Sequence, residues 1–272
     1  MINIGGNINE LYVGSTPIKK AYLGGDLLWE KSVSAKDYIQ NGLVAMWDGI
    51  ENIGWGQHSD SATTWVDLKG TTNYDFILQN SYTWASNGLI TSPTYDRVAS
   101  TTSSIPYATN LTTELVFETY AFPTTSSRIC FFKLGDTQLY NNYNWTMRSL
   151  MFTYNGTGKV GWMFKSHSIL SNTGYSNPPL NTPMSIAVVY AVPSGSADNK
   201  RKQNPTRVLF DGVAKSPSWA SDGAAVGGEM WISIDSTNGF YGKVYAIRVY
   251  NRQLSNDEIS QNYAIDKERF GI

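Results

Sequence analysis

The carboxylates that share a strand face in this sequence are Glu114 with Glu118 and Glu229 with Asp235. Glycosidic-bond hydrolysis by two carboxylates needs acid and nucleophile roughly 5 Å apart. In an extended strand the first pair is about 13 Å apart and the second about 20 Å. Neither can share a bond. The two histidines, His58 and His167, fall in separate polar loops, with no neighbouring residues that would build a metal centre or a nucleophilic triad. The single cysteine, Cys130, sits in an apolar run with no nearby base to ionise it, and reads as a small buried hydrophobe. One cysteine excludes a disulfide framework and any cysteine-based zinc site.

Aromatic residues in polar loops carry a different chemistry. Trp55, Trp84, Tyr140, Tyr143, Trp145, Tyr175 and Trp219 all lie beside Asn, Ser or Gly. Flat rings stack on the apolar face of a pyranose while amides satisfy its hydroxyls, and the same mixture serves adaptable protein-binding loops. Tyr140 to Trp145 is the densest cluster. Tyr140, Tyr143, Trp145, Trp55 and Tyr175 are the glycan-binding candidates; the competing reading is that the tryptophans plug the ends of a β fold.

The elements that must position these loops are strands. In 183–190 Met184, Ile186, Val188 and Tyr190 share a face, and in 111–122 Leu115, Phe117 and Thr119 oppose Val116, Glu118 and Tyr120. Near the C-terminus Tyr245, Ile247 and Val249 alternate with Arg248. Asp211-Gly212 and 155–158 carry hairpin-turn chemistry. Asp37 to Gly42 could be one helical turn ended by Gly42. Ser255 and Glu258 stand at capping-box spacing ahead of Ile259 and Tyr263, which predicts a closing helix. About a dozen strands and one helix predict an all-β sandwich over residues 37–272. Residues 1–32 form a separate unit: Leu11-Tyr-Val-Gly is echoed by Ala21-Tyr-Leu-Gly, two Gly-turned strand pairs that predict a small β-meander, too short to be stable alone.

Lys and Arg number 21 against 22 Asp and Glu, a net charge of −1, with no basic stripe for nucleic acid. No run is long enough to span a bilayer. Residues 1–7 lack the basic start and apolar core of an export signal. The expectation is a chain that stays in the cytoplasm or leaves by another route, such as lysis inside a virus particle.

Gly242, Arg248, Tyr250, Asn251, Arg252, Leu254, Ser255, Glu258 and Ile259 fall in the order of the segment that closes laminin-G-like, concanavalin A-like jelly rolls, and this run resembles that family. The opening Leu43-Val-Ala-Met-Trp47 fits it too, whereas Pro183 and Ser185 stand where its Trp and His landmarks would be. The resemblance implies a lectin-type sandwich. It raises the question of a rim calcium, for which Asp67, Asp235 and Asn238 are weak candidates; an Asx-type turn explains the 235–239 loop equally. The family's enzymes pair carboxylates in an E-x-D-x-x-E strand that this sequence lacks, so the chain is expected to be non-enzymatic. Ile8, Leu11, Tyr12, Gly14, Ile18, Lys20, Tyr22, Gly24, Leu27, Leu28 and Trp29 resemble a short N-terminal module of bacteriophage tail and virion proteins. That implies an attachment or oligomerisation role for Leu11, Tyr12, Ile18, Tyr22, Leu28 and Trp29. The expected function is a structural and recognition protein on the virion surface: a tail or head fibre or a decoration protein. It would be a homotrimer held to other virion proteins, binding host-surface glycans without nucleic acid or membrane insertion. The alternatives are a carbohydrate-binding or adhesion module of a gut bacterium, or a glycan-degrading enzyme with an unfamiliar acid pair.

Overall fold

The computed structural model describes residues 11–13, 15–18, 20–23, 25–30, 32–70, 74–79, 82–91, 97–101, 110–121, 132–135, 148–150, 179–191, 204–215, 231–235 and 241–272. The expected strand at 159–165 and the turn at 155–158 lie outside them, as do Cys130 and His167.

The fold is an antiparallel, concanavalin A-like sandwich. Its strands are β5 (Leu43–Asp48), β6 (Thr64–Trp65), β7 (Phe76–Leu78), β8 (Tyr82–Ala85), β9 (Gly88–Thr91), β10 (Arg97–Thr101), β11 (Asn110–Ala121), β12 (Phe132–Gly135), β13 (Arg148–Leu150), β14 (Pro183–Ala191), β15 (Asn204–Phe210), β16 (Val213–Lys215), β17 (Trp231–Asp235) and β18 (Tyr241–Tyr250). Ahead of them stand two hairpins, β1 (Leu11–Val13) with β2 (Thr16–Ile18) and β3 (Lys20–Leu23) with β4 (Asp26–Glu30). The larger sheet runs β16-β15-β14-β11-β18-β9-β8, and the smaller β13-β12-β17-β10-β7-β6. β18 is long enough to share one edge between two partners: Lys243 and Val244 pair with β9, and Ala246 to Tyr250 with β5.

Alternation packs the interior. Leu115, Phe117, Met184, Ile186, Val188, Ile247 and Val249 from the larger sheet meet Trp65, Phe76 and Leu78 from the smaller. Each tryptophan seen buried among the described residues donates its indole N–H to a carbonyl: Trp47 to Tyr74 at 3.1 Å, Trp65 to Asp48 at 3.0 Å and Trp84 to Ala62 at 2.9 Å. Trp84 is therefore a plug and not a displayed loop ring. Val116 pairs with Ala246 but Phe117 with Val244, so Tyr245 is the extra residue of a β-bulge. The alternation expected for β18 breaks there: Val244, Ile247 and Val249 face the interior, while Tyr245 turns outward onto Phe270.

The larger sheet is covered on its other face as well. The helix α1 (Asn256–Phe270) and the segment around Tyr38 bury Met46, Ala187, Val189, Leu209 and Tyr250 from outside. This is why β11 and β18 are buried along both faces rather than alternately. Ser255 and Glu258 form the expected capping box, and Gly271 closes the helix in the left-handed conformation. The helical turn expected at 37–42 is instead a 3-10 turn at Ala35–Asp37, because Ser34 and Asp37 make their own capping box upstream. Asp211 and Gly212, with φ 50° and 72°, supply the two left-handed residues of a two-residue hairpin loop.

Candidate functional site

Among the described residues the one glycan-binding candidate is Trp55, half-buried and packed against the cluster beneath α1. Its loop is held from within. Asn52, fully buried, clamps Ser59 by donating to its carbonyl at 2.9 Å and accepting from its N–H at 2.8 Å. Glu51 ties three segments together: Oε2 accepts from Gly56 N–H at 2.9 Å, and Oε1 from Ala35 N–H and Arg269 Nη2, both at 3.2 Å. Fixing Ala35 and Gly56 to one carboxylate brings their neighbours together, and the Lys36 ammonium lies 5.3 Å from the Trp55 ring centroid. A ring beside a solvent-exposed cation can stack on a sugar and pair with an anionic substituent. Of the other glycan candidates, Tyr140, Tyr143, Trp145 and Tyr175 lie outside the described residues.

A second polar and aromatic strip occupies the outer face of the larger sheet beyond the end of α1, and no sequence signal marked it. Glu118 and Lys243 are register partners, and Glu118 Oε2 lies 3.9 Å from Lys243 Nζ. The same oxygen accepts from the Tyr245 hydroxyl at 2.6 Å, and Lys243 donates to Asn87 Oδ1 at 3.2 Å. Tyr120 and Tyr241 meet edge to face at 5.1 Å. Burial, then the hydrogen bond to Glu118, holds the Tyr245 proton firmly in place, so this hydroxyl is a donor and not a nucleophile. The strip was legible only once β11 and β18 were known to be neighbours.

A third group of charged side chains is structural. Arg248 makes a two-pronged contact with Asp266 at 2.8 and 2.7 Å and donates through Nε to Glu114 at 2.6 Å. Tyr38 donates to Asp266, and Asn262 to Glu114 and the Tyr250 hydroxyl. All six are buried. Burial raises the pKa of Glu114 against the pull of Arg248. Burial opposes the Arg248 charge too, but Asp266 and Glu114 more than offset it. The network fastens α1 to the sheet. Glu114 and Glu118 thus serve different partners along one face, as their strand spacing required.

The calcium candidates do not converge. Asp67 follows β6 at the Phe76 end of β7, which pairs with Thr101, whereas Asp235 pairs with Arg97 at the other end of β10. Four residues along the strand and three strands across separate them by roughly 20 Å. Asn238 is outside the described residues. Asp67 Oδ1 instead accepts from Met46 and Lys69 N–H at 2.9 and 3.0 Å, while its buried Oδ2 has no hydrogen-bond partner. Burial lifts its pKa to about 6 against those donors. Among the described residues no three His, Cys, Asp or Glu side chains gather as a metal would need.

No family model matches this sequence, nor does any curated protein. In fold the chain is similar to Trypanosoma rangeli sialidase, with a TM-score of 0.57 at 15% identity over 92% of this chain and 36% of that one. The covalent-intermediate form of that sialidase, with 2,3-difluorosialic acid, gives 0.57 at 17% over 96% and 36%. Its complex with sialic acid gives 0.56 at 15% over 92% and 36%. The chain spans about a third of the length of these proteins. The likeness is one of fold, and it defines a concanavalin A-like β-sandwich. It also overturns the expectation of a non-enzymatic chain. The protein in these structures is an enzyme, a sialidase of which this chain spans about a third, and a missing E-x-D-x-x-E strand rules out one placement of carboxylates rather than activity.

Proposed function

We propose that this chain is a glycan-recognising β-sandwich displayed on a bacteriophage particle, with residues 1–32 as its point of attachment. The observation that carries the recognition is the half-buried Trp55 ring, its loop anchored through Glu51 and flanked by the Lys36 ammonium. A ring paired with a cation suits an acidic sugar, and the sialidase of like fold has a complex with sialic acid. Sialic acid-terminated glycans are therefore the first ligands to try. Attachment is supported by the N-terminal hairpins: Val13, Tyr22, Leu23 and Leu27 are 68%, 59%, 69% and 49% exposed, on two-stranded pieces that cannot hold their shape alone. The resemblance of these residues to virion modules points the same way, and the reading carries with it a homotrimer.

A glycan array followed by titration tests the recognition. Trp55→Ala should weaken the best sialylated ligand at least fivefold, the ~1 kcal/mol or more expected of a stacked ring. Lys36→Gln should weaken it and flatten its salt dependence. Wild-type protein that binds no glycan, or Trp55→Ala protein that binds unchanged, overturns the reading. Tyr143→Ala and Trp145→Ala belong in the same series. Free sialic acid appearing during the titration would add turnover to recognition. Attachment is tested by deleting residues 1–31: particles should then lack the protein, and particles that retain it rule the segment out as an anchor.

A further inference from the structure

The outer face of the larger sheet changes character where α1 ends. Phe270, the last helical residue, packs on the Tyr245 ring at 5.4 Å, and Lys243 Nζ lies 4.6 Å from the centroid of the same ring. Lys243 can lie flat there because residue 88 is glycine: a Cβ would stand 2.9 Å from Lys243 Cγ and 2.7 Å from the Val244 carbonyl. Beyond this boundary come the Glu118 carboxylate, the Asn87 amide and the crossed rings of Tyr120 and Tyr241, both half-buried.

The ammonium and carboxylate face each other at 3.9 Å, too far for a hydrogen bond. One hydroxyl can lie about 2.8 Å from both, accepting from Nζ and donating to Oε2. A neighbouring hydroxyl is within the range of an amide that both donates and accepts. The two tyrosine rings supply an apolar surface for the C–H face of a sugar. The charges of Lys243 and Glu118 cancel, so an anionic ligand gains nothing from the pair. We propose that this strip is a second saccharide subsite, taking a neutral pyranose with vicinal hydroxyls. It rests on the reading that the chain recognises glycans, and it differs from the Trp55 site in the charge of its ligand.

The test is titration of the full chain, followed by saturation-transfer NMR, with methyl glucoside, methyl galactoside and methyl N-acetylglucosaminide, and with N-acetylneuraminic acid for comparison. At least one neutral glycoside should bind. Its affinity should fall fivefold or more in Tyr241→Ala and in Asn87→Ala, hold in Tyr241→Phe, and be unchanged in Trp55→Ala. Melting temperatures establish that each variant is folded; should Tyr241→Ala fail, the turn variant Asn87→Ala decides. Neutral glycosides that do not bind, or that bind both variants as well as wild type, overturn the subsite. If N-acetylneuraminic acid still binds through Trp55 in that case, the proposed function stands without it. Failure of every saccharide removes both.

Discussion

Asp67 shows how one buried oxygen sets a pH dependence. Its folded pKa of about 6 lies above the ordinary carboxylate value because burial penalises the charge more than the backbone donors favour it. The unfolded chain therefore releases this proton first. Stability from this group is full below about pH 4, falls as pH rises to about 6, and is level above that. Asp67→Asn keeps an acceptor for the Met46 and Lys69 N–H groups and removes the charge. Thermal melts from pH 3 to 8 should show the variant gaining on wild type across pH 4–6, by about 3 kcal/mol at neutral pH. A pH-independent difference would mean that Asp67 titrates normally.

At the scale of the element, α1 is held by chemistry that neither partner supplies alone. Asp266→Ala leaves the buried Arg248 with Glu114 alone and takes the acceptor from the Tyr38 hydroxyl. Breaking a buried pair from one side costs about 3–5 kcal/mol, so chemical denaturation should shift by that order. Ser255→Ala removes only the cap and should cost about 1 kcal/mol. If the two variants lose equal stability, the network is no more than a surface fastening. The helix also explains a limit of strand periodicity: with Tyr250 and Val189 covered by it, the outer face of the larger sheet carries buried apolar residues too, and alternation marks the inner face less sharply.

For the whole molecule, the joint between the front piece and the sandwich falls at an identifiable place. Arg269 donates to the Val33 carbonyl and Glu51 accepts from Ala35, so the chain is anchored from residue 33 onward. Protein lacking residues 1–31 should therefore keep the wild-type melting temperature within about 2 °C, while its mass in solution falls to that of a monomer if the hairpins join copies. A large loss of melting temperature would make the front piece part of the sandwich's own stability.

The strands of the core, the Asp211-Gly212 turn and the Ser255 cap were legible in sequence because each rests on neighbours a few positions apart, where period and turn chemistry act. The same local reading placed Tyr245 on the wrong face, since a bulge is decided by the register of the opposing strand. It could not join Glu51 to Arg269, or Glu118 to Lys243 and Asn87, because those partners lie tens to hundreds of positions apart. Short-range dihedral preference and hydrophobic rhythm determine which segments become strands; which side chains then meet across them depends on how the sheet is stacked and covered, and only the folded chain decides that.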